Sequence, residues 1–246
     1  MGVVARLTLK IKRGETPFYR GLNKLRRILL QANVPVPAPL KPVFAAMYGL
    51  HMTVFHGIRT LRVVVFWTPM FRSRCTSAGR SLHLTLFPRI RGQPVIRLGN
   101  DVKIYGDLEI IGAGRPGECE LAVGDSVQIG HRVTILVGNR ITIEDGAGIA
   151  SECYISDVDA VPHEFLDPAT PPVSPEETKP VRICARSWIG RGCAILKGVT
   201  IGEGALVTAG SVVVSDVPPF CVAMGNPARV VVRHNFPSGG GSKGGG

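Results

Sequence analysis

Residues 183–218 read ICARSW IGRGCA ILKGVT IGEGAL VTAGSV VVSDVP when cut every six residues, and that period constrains the chain more than any other feature. The first position of each block is Ile183, Ile189, Ile195, Ile201, Val207 or Val213, aliphatic throughout. The fifth is Ser187, Cys193, Val199, Ala205, Ser211 or Val217, small or β-branched. A period of six fits neither a helix at about 3.6 residues nor a strand at about 2, so the segment is a repeat. Each block forms one short strand whose aliphatic residue points into a shared interior, and Gly residues serve the corners, where a Cβ is costly. Three blocks close one prism-shaped coil, and coils stack about one strand spacing, roughly 4.8 Å, apart. No block buries its apolar residue alone.

This segment resembles the hexapeptide-repeat acyltransferases. The run Asp216-Val217-Pro218-Pro219, followed by Gly225-Asn226-Pro227-Ala228, is similar to the closing motif of the maltose and galactoside O-acetyltransferase branch. The resemblance implies an all-β solenoid, a left-handed parallel β-helix. Its handedness comes from the family, because the general preference is for right-handed crossovers.

Charge divides the chain. Residues 1–91 hold 16 Lys/Arg against one acid, Glu15, while residues 92–246 hold 13 against 17 acids. The basic charge therefore belongs to a separate N-terminal module. Residues 16–31 carry Phe18, Leu22, Leu25 and Leu29 on one stripe with Arg20, Lys24 and Arg27 mostly opposite, the pattern of a basic amphipathic helix suited to a membrane's headgroup region. Pro35, Pro37, Pro39 and Pro42 predict a stiff extended hinge. Beyond it, residues 43–71 are apolar but broken by His51, His56, Arg59 and Arg62. That is too interrupted for a spanning helix, which needs about 20 clean apolar residues. A re-entrant or monotopic helix pair fits, with Phe66, Trp67 and Phe71 at the interface. We expect residues 1–91 to meet an anionic membrane surface, peripherally or monotopically, at the inner face of the cell membrane of a cytoplasmic protein. No nucleic-acid-binding motif accompanies the charge, and no cleavable signal peptide is visible.

The remaining organisation is a β-helix domain over 92–235, interrupted by a loop at 156–182, and a flexible Gly/Ser tail at 236–246. Ser81 to Phe87 alternates and reads as an opening strand. The hexapeptide register then starts at Leu98 and Ile104, slips near 112–120 and again near Gly138, and runs on through Ile143, Ile149 and Ile155, giving about five coils. Slips of this kind are bulges at prism corners. The six cysteines show no metal-binding spacing and read as buried, reduced thiols, Cys153 and Cys193 falling at the small fifth position.

The resemblance also implies chemistry: an acetyl group passes from acetyl-CoA to a hydroxyl, with a histidine as general base. In the family that histidine follows an Asp-rich turn opening the long loop. Here the loop reads Asp157-Val158-Asp159-Ala160-Val161-Pro162-His163-Glu164-Phe165-Leu166-Asp167-Pro168, with His163 displaced by two residues. His163 is the candidate base and Asp157 or Asp159 its orienting carboxylate. His131 is the reserve, placed where related enzymes contact the acceptor sugar. For the cofactor, Trp188 matches an aromatic that packs on the pantetheine arm, and Gly190, Ala209 and Gly210 match positions of close backbone approach whose amides could serve the thioester oxygen. Asn226, Pro227 and Arg229 match the adenosine and phosphate end. Ser215 replaces a common Lys, with Lys197 and Arg191 as substitutes. The family groove lies between subunits, which implies a homotrimer. The acceptor expected is a saccharide, lipid-linked or in polysaccharide or glycolipid assembly.

Two other readings remain. A γ-type carbonic anhydrase needs three His ligands, but only His131 and His163 lie in the repeat, so no metal is expected. A scaffolding β-helix with a degenerate site is consistent with the displaced His163.

Overall fold

The aliphatic ladder forms as the period demands. In a computed structural model describing residues 16–21, 24, 36–159, 173 and 175–233, the strands fall into three parallel sheets, one per prism face. The first face stacks strands Ser77–Ala78, Val95–Leu98, Glu120–Val123, Arg140–Ile143, Val181–Ile183 and Thr200–Ile201. The second runs from His83–Leu84 through Leu206–Val207 to Cys221–Gly225, and the third from Arg89–Arg91 to Val212–Val213. Neighbours pair in register, Ile143 with Ile183 and Ile183 with Ile201 on the first face. On the second, Ile149 pairs with Ile129 and Ile189. On the third, Ile155 pairs with Ile135 and Ile195. The fold is a left-handed parallel β-helix, and all these aliphatics are buried in one continuous core. The fifth-position residues are buried as well: Ser187, Cys193, Val199, Ala205, Ser211 and Val217.

The irregularity of the upper repeat has a simple geometry. From the first face to the second and on to the third, the inward residues stay six apart, as in Leu98, Ile104, Ile110 and Val123, Ile129, Ile135. Every departure lies on the return from the third face to the first. Ile90 to Leu98 spans eight residues, Ile110 to Val123 thirteen, Ile135 to Ile143 eight and Ile155 to Ile183 twenty-eight. The apparent slips are thus insertions along one edge, which the other two edges never carry. Ile111, Ala113 and Leu136 from this edge, with Val158, form a small second core outside the prism, and Tyr154 and Val173 pack on it.

Upstream of the prism the structure corrects two expectations. Pro37 is extended, but Ala38–Leu40 is a 3-10 turn leading directly into the helix Lys41–Arg62. Proline's fixed φ suits a first helical turn, where no N–H is needed, so Pro39 and Pro42 start a helix instead of holding a hinge. The apolar segment is also one helical run and not a pair: Lys41–Arg62 continues through a π-helical stretch, Val63–Trp67, into Thr68–Arg74. Pro69 has no N–H to donate back one turn, and the wider π turn before it accommodates that loss. Residues 17–21 and 24 are helical; the rest of the amphipathic stretch expected over 16–31 lies outside the described residues. The chain divides into two units, residues 1–56 and 57–246. Within the second, Phe71 is fully buried in the prism core and closes its first coil. Arg72 donates to the Ala78 carbonyl and Arg74 to that of Gly92. At the other end, Cys221–Gly225 turns through Asn226 and Pro227 into the antiparallel strand Ala228–Arg233.

Because each ladder residue contacts the one above and the one below, deleting its side chain leaves a cavity the stack cannot close. Ile155→Ala is expected to destabilise the β-helix by about 2–5 kcal/mol, read from the midpoint of urea unfolding. The outward Thr142→Ala on the same coil is expected to change it by less than about 0.5 kcal/mol.

Candidate functional site

Two edges of the prism carry the candidate residues. The third-to-first edge holds the stem of the long loop. There Asp157 is fully buried, its Oδ1 accepting the Gly138 N–H at 2.6 Å and its Oδ2 the Asn139 N–H at 2.8 Å. Its carbonyl accepts the Lys179 N–H from the returning limb. Val158 bridges Thr178 antiparallel, and the Val173 N–H reaches the Ala113 carbonyl. Burial pushes the Asp157 carboxyl above the usual carboxylate range, against the opposing pull of the Gly138, Asn139 and Arg140 amides. Asp159 is exposed and ion-paired with Lys197, whose Nζ also reaches the Glu177 carbonyl. Both acids have structural partners at the root of the loop. His163 lies outside the described residues.

The second-to-third edge is built differently. Trp188 is 48% exposed, its indole lying across Gly148 on the preceding coil, where any Cβ would run into the ring. A Cβ on Gly190 would sit 2.5 Å from the Ala209 nitrogen, so coil stacking itself requires glycine there. The Gly190 N–H donates to the Val207 carbonyl and the Gly210 N–H to that of Arg191. Those two amides are therefore spent on stacking and are not available to a thioester oxygen. Ala209 is exposed, and among the described residues no carbonyl receives its N–H. Of the three backbone positions taken from the motif, it is the one whose N–H is not spent on stacking among the described residues.

His131 is on this same edge, its imidazole against Gly106 and its N–H on Ser151 Oγ. Hydrogen bonds carry the column on: Gly192 N–H to the Ser151 carbonyl, then Gly210 N–H to the Arg191 carbonyl. Three coil spacings, about 14 Å, thus separate His131 from Ala209. Arg132 and Arg191 both pair with Glu152. With Lys197 held by Asp159, neither substitute cation stands unpaired to meet a phosphate. At the closing turn Asn226, Pro227 and Arg229 are exposed, as is Ser215. The buried Ser211 anchors that turn by accepting the Gly225 N–H and bonding Thr208. The hexapeptide period marks Ser211 only as a small core residue; its role as the anchor emerges from the hydrogen bonds.

The six cysteines are free thiols. Cys153 donates to the Gly190 carbonyl and Cys193 to that of Thr208, so these buried thiols brace the edge from within. Among the described residues no group of three or more His, Cys, Asp or Glu is placed to hold a metal ion. No described helix is long and apolar enough to cross a membrane. A groove of about 320 Å³ on the first face, lined by Arg97, Ala122, Thr142, Glu144 and Ala185 among others, contains none of the candidate residues.

The chain is similar to bacterial acetyltransferases. It is 46% identical over 65 residues to SACOL2570 of Staphylococcus aureus (strain COL), whose acetyltransferase name is itself provisional. That match covers 26% of this chain and 33% of the relative. A longer one, 33% identity over 159 residues, covers 58% of this chain and 52% of the "Probable acetyltransferase Rv3034c" of Mycobacterium tuberculosis. The chain thus spans a third to about half of the length of these curated relatives. No protein-family profile matches it. Among solved structures, AntD, an N-acyltransferase from Bacillus cereus in complex with dTDP and 3-hydroxybutyryl-CoA, superposes with a TM-score of 0.52 at 21% identity, over 68% of this chain and 88% of AntD. That likeness establishes the β-helix fold.

Asp157 accepts from two amides, that of Gly138 buried and that of Asn139 partly buried. Asp157→Ala is expected to cost about 1–3 kcal/mol for each buried donor left unpaired. Hydrogen exchange checks this: protection of the Gly138 and Asn139 amides is lost while that of the ladder strand Val181–Ile183 persists.

Proposed function

We propose that this protein is an acetyl-CoA-dependent O-acetyltransferase that modifies a saccharide hydroxyl. We further propose that it works as a homotrimer at an anionic membrane surface met by residues 1–91. The observation that carries the reading is the second face and its edge with the third: an exposed indole laid on Gly148, the tight Gly190–Ala209 contact, and an Ala209 N–H that no described carbonyl receives, in a chain similar to acetyltransferases. An acyl-CoA donor agrees with AntD, whose fold this chain shares and which binds 3-hydroxybutyryl-CoA.

In this mechanism the neutral imidazole of His163 takes the proton from the acceptor hydroxyl as its oxygen attacks the thioester carbonyl. The Ala209 N–H donates to the oxyanion that forms. The intermediate collapses with cleavage of the C–S bond, and the imidazolium returns its proton to the departing CoA sulfur. Trp188 packs on the pantetheine arm, and Arg229, beside Asn226 and Pro227, faces the phosphates. Of the two candidate carboxylates we assign the orienting role to Asp159, which is exposed, because Asp157 is enclosed in the turn it holds together.

The two edges support the proposed trimer. The loop that carries His163 is rooted on the third-to-first edge, whereas Trp188 is on the second face and Ala209 at the second-to-third edge. In the proposed trimer the loop of one copy meets the cofactor edge of the next.

His163→Ala is expected to lower the rate of CoA-thiol release at least about a hundredfold, with the trimer mass by light scattering unchanged. Near-normal turnover would move the base to His131. Wild-type protein that releases no CoA thiol with any saccharide would instead favour a scaffolding β-helix, and faster transfer to an amino sugar than to its hydroxyl counterpart would make it an N-acetyltransferase.

A further inference from the structure

The helix Lys41–Arg62 has no buried residue. Val43, Met47, Leu50, Val54, Ile58 and Leu61 recur at intervals of four, three, four, four and three, which places them on a single stripe. Each is between half and two-thirds exposed. Phe44, Phe55 and Arg62 lie beside the stripe, and Tyr48 falls with Lys41, His56 and Arg59 on the far side. A contiguous apolar surface of this length marks a place where something binds.

Charge selects the occupant. From residue 16 to residue 100 the chain contains no Asp or Glu and thirteen Lys or Arg. A second copy packed on the stripe would bring Arg62, which lies beside it, to the seam, and nowhere in Lys41–Arg62 is there an acid to pair with it. An anionic bilayer satisfies both properties: acyl chains accept the stripe and headgroups neutralise the cations. Trp67, one turn beyond, lies under the Arg62 guanidinium at 5.1 Å. This is an aromatic–cation pair suited to the headgroup level. The helix is not apolar enough to cross a membrane.

We infer that the stripe on Lys41–Arg62 is the element that inserts into an anionic lipid surface, with the helix lying in the membrane plane and its apolar face about 5–10 Å deep. This rests on the reading that residues 1–91 meet a membrane, and it names the segment, its face and its orientation.

Flotation of the full-length protein on phosphatidylcholine–phosphatidylglycerol vesicles, with pure phosphatidylcholine as the comparison, tests it. The wild type is expected to float with the mixed vesicles only. The double variant Leu50→Glu/Val54→Glu should lose at least tenfold in bound fraction, and Arg59→Glu/Arg62→Glu should lose binding to a similar extent. Circular dichroism confirms that the helix and prism remain folded. In a Trp188→Phe background Trp67 is the sole tryptophan, and its emission should move to the blue on mixed vesicles. Undiminished flotation of the stripe variant overturns this inference while leaving the membrane reading standing. Failure of the wild type to float on either vesicle overturns both. Stripe-dependent self-association in sedimentation velocity, without vesicle binding, assigns the stripe to a second copy and overturns the inference. None of these outcomes bears on CoA-thiol release, which is measured separately.

Discussion

Stacking of one aliphatic side chain on another at a single strand spacing is the interaction from which everything else in this protein follows. A six-residue strand buries nothing by itself, because its one inward residue needs a neighbour above and below. The ladders Leu84–Ile104–Ile129–Ile149–Ile189–Val207 and Ile90–Ile110–Ile135–Ile155–Ile195–Val213 therefore hold only as wholes. Register is set by the same contacts, since a slip of one residue would turn each aliphatic to solvent. The open first coil would expose that core, and Phe71 covers it.

A scaffold this regular leaves its edges free to differ. The second-to-third edge keeps the strict period, so it presents evenly spaced backbone. Every insertion is instead placed on the third-to-first edge, where extra residues can bulge outward without disturbing the six-residue rhythm of the other faces. Asp157 shows how the two demands are reconciled. Its carboxylate closes the turn at Gly138 and Asn139 on the coil before the loop, while its carbonyl receives the loop's returning limb. A polar group buried this deeply is tolerated because its hydrogen bonds are met.

The N-terminal helix follows opposite physics. Prism aliphatics are hidden and paired; those of Lys41–Arg62 are exposed and arranged for a partner that is not the chain itself. The absence of acid over residues 16–100 is what the proposal of an anionic partner rests on.

How much of this was written in the chain depends on distance along it. The ladder is local: Ile183, Ile189, Ile195 and Ile201 announce their own period, so the prism, its inward residues and its small fifth positions follow from sequence alone. The basic, acid-free character of the N-terminal region is equally direct. The tertiary structure decided whatever rests on contacts between coils. It alone shows that the irregular spacings share one edge, that Pro39 and Pro42 start a helix, and that Gly190 is glycine because Ala209 lies against it. It also shows that Lys197 and Arg191 are already paired, and that of three candidate amides only that of Ala209 is given to no described carbonyl. Residues brought together by stacking are separated by 16 to 40 positions, as Val207 is from Ala223 and Ile143 from Ile183. No periodicity can say which amide will spend its hydrogen bond on the coil below.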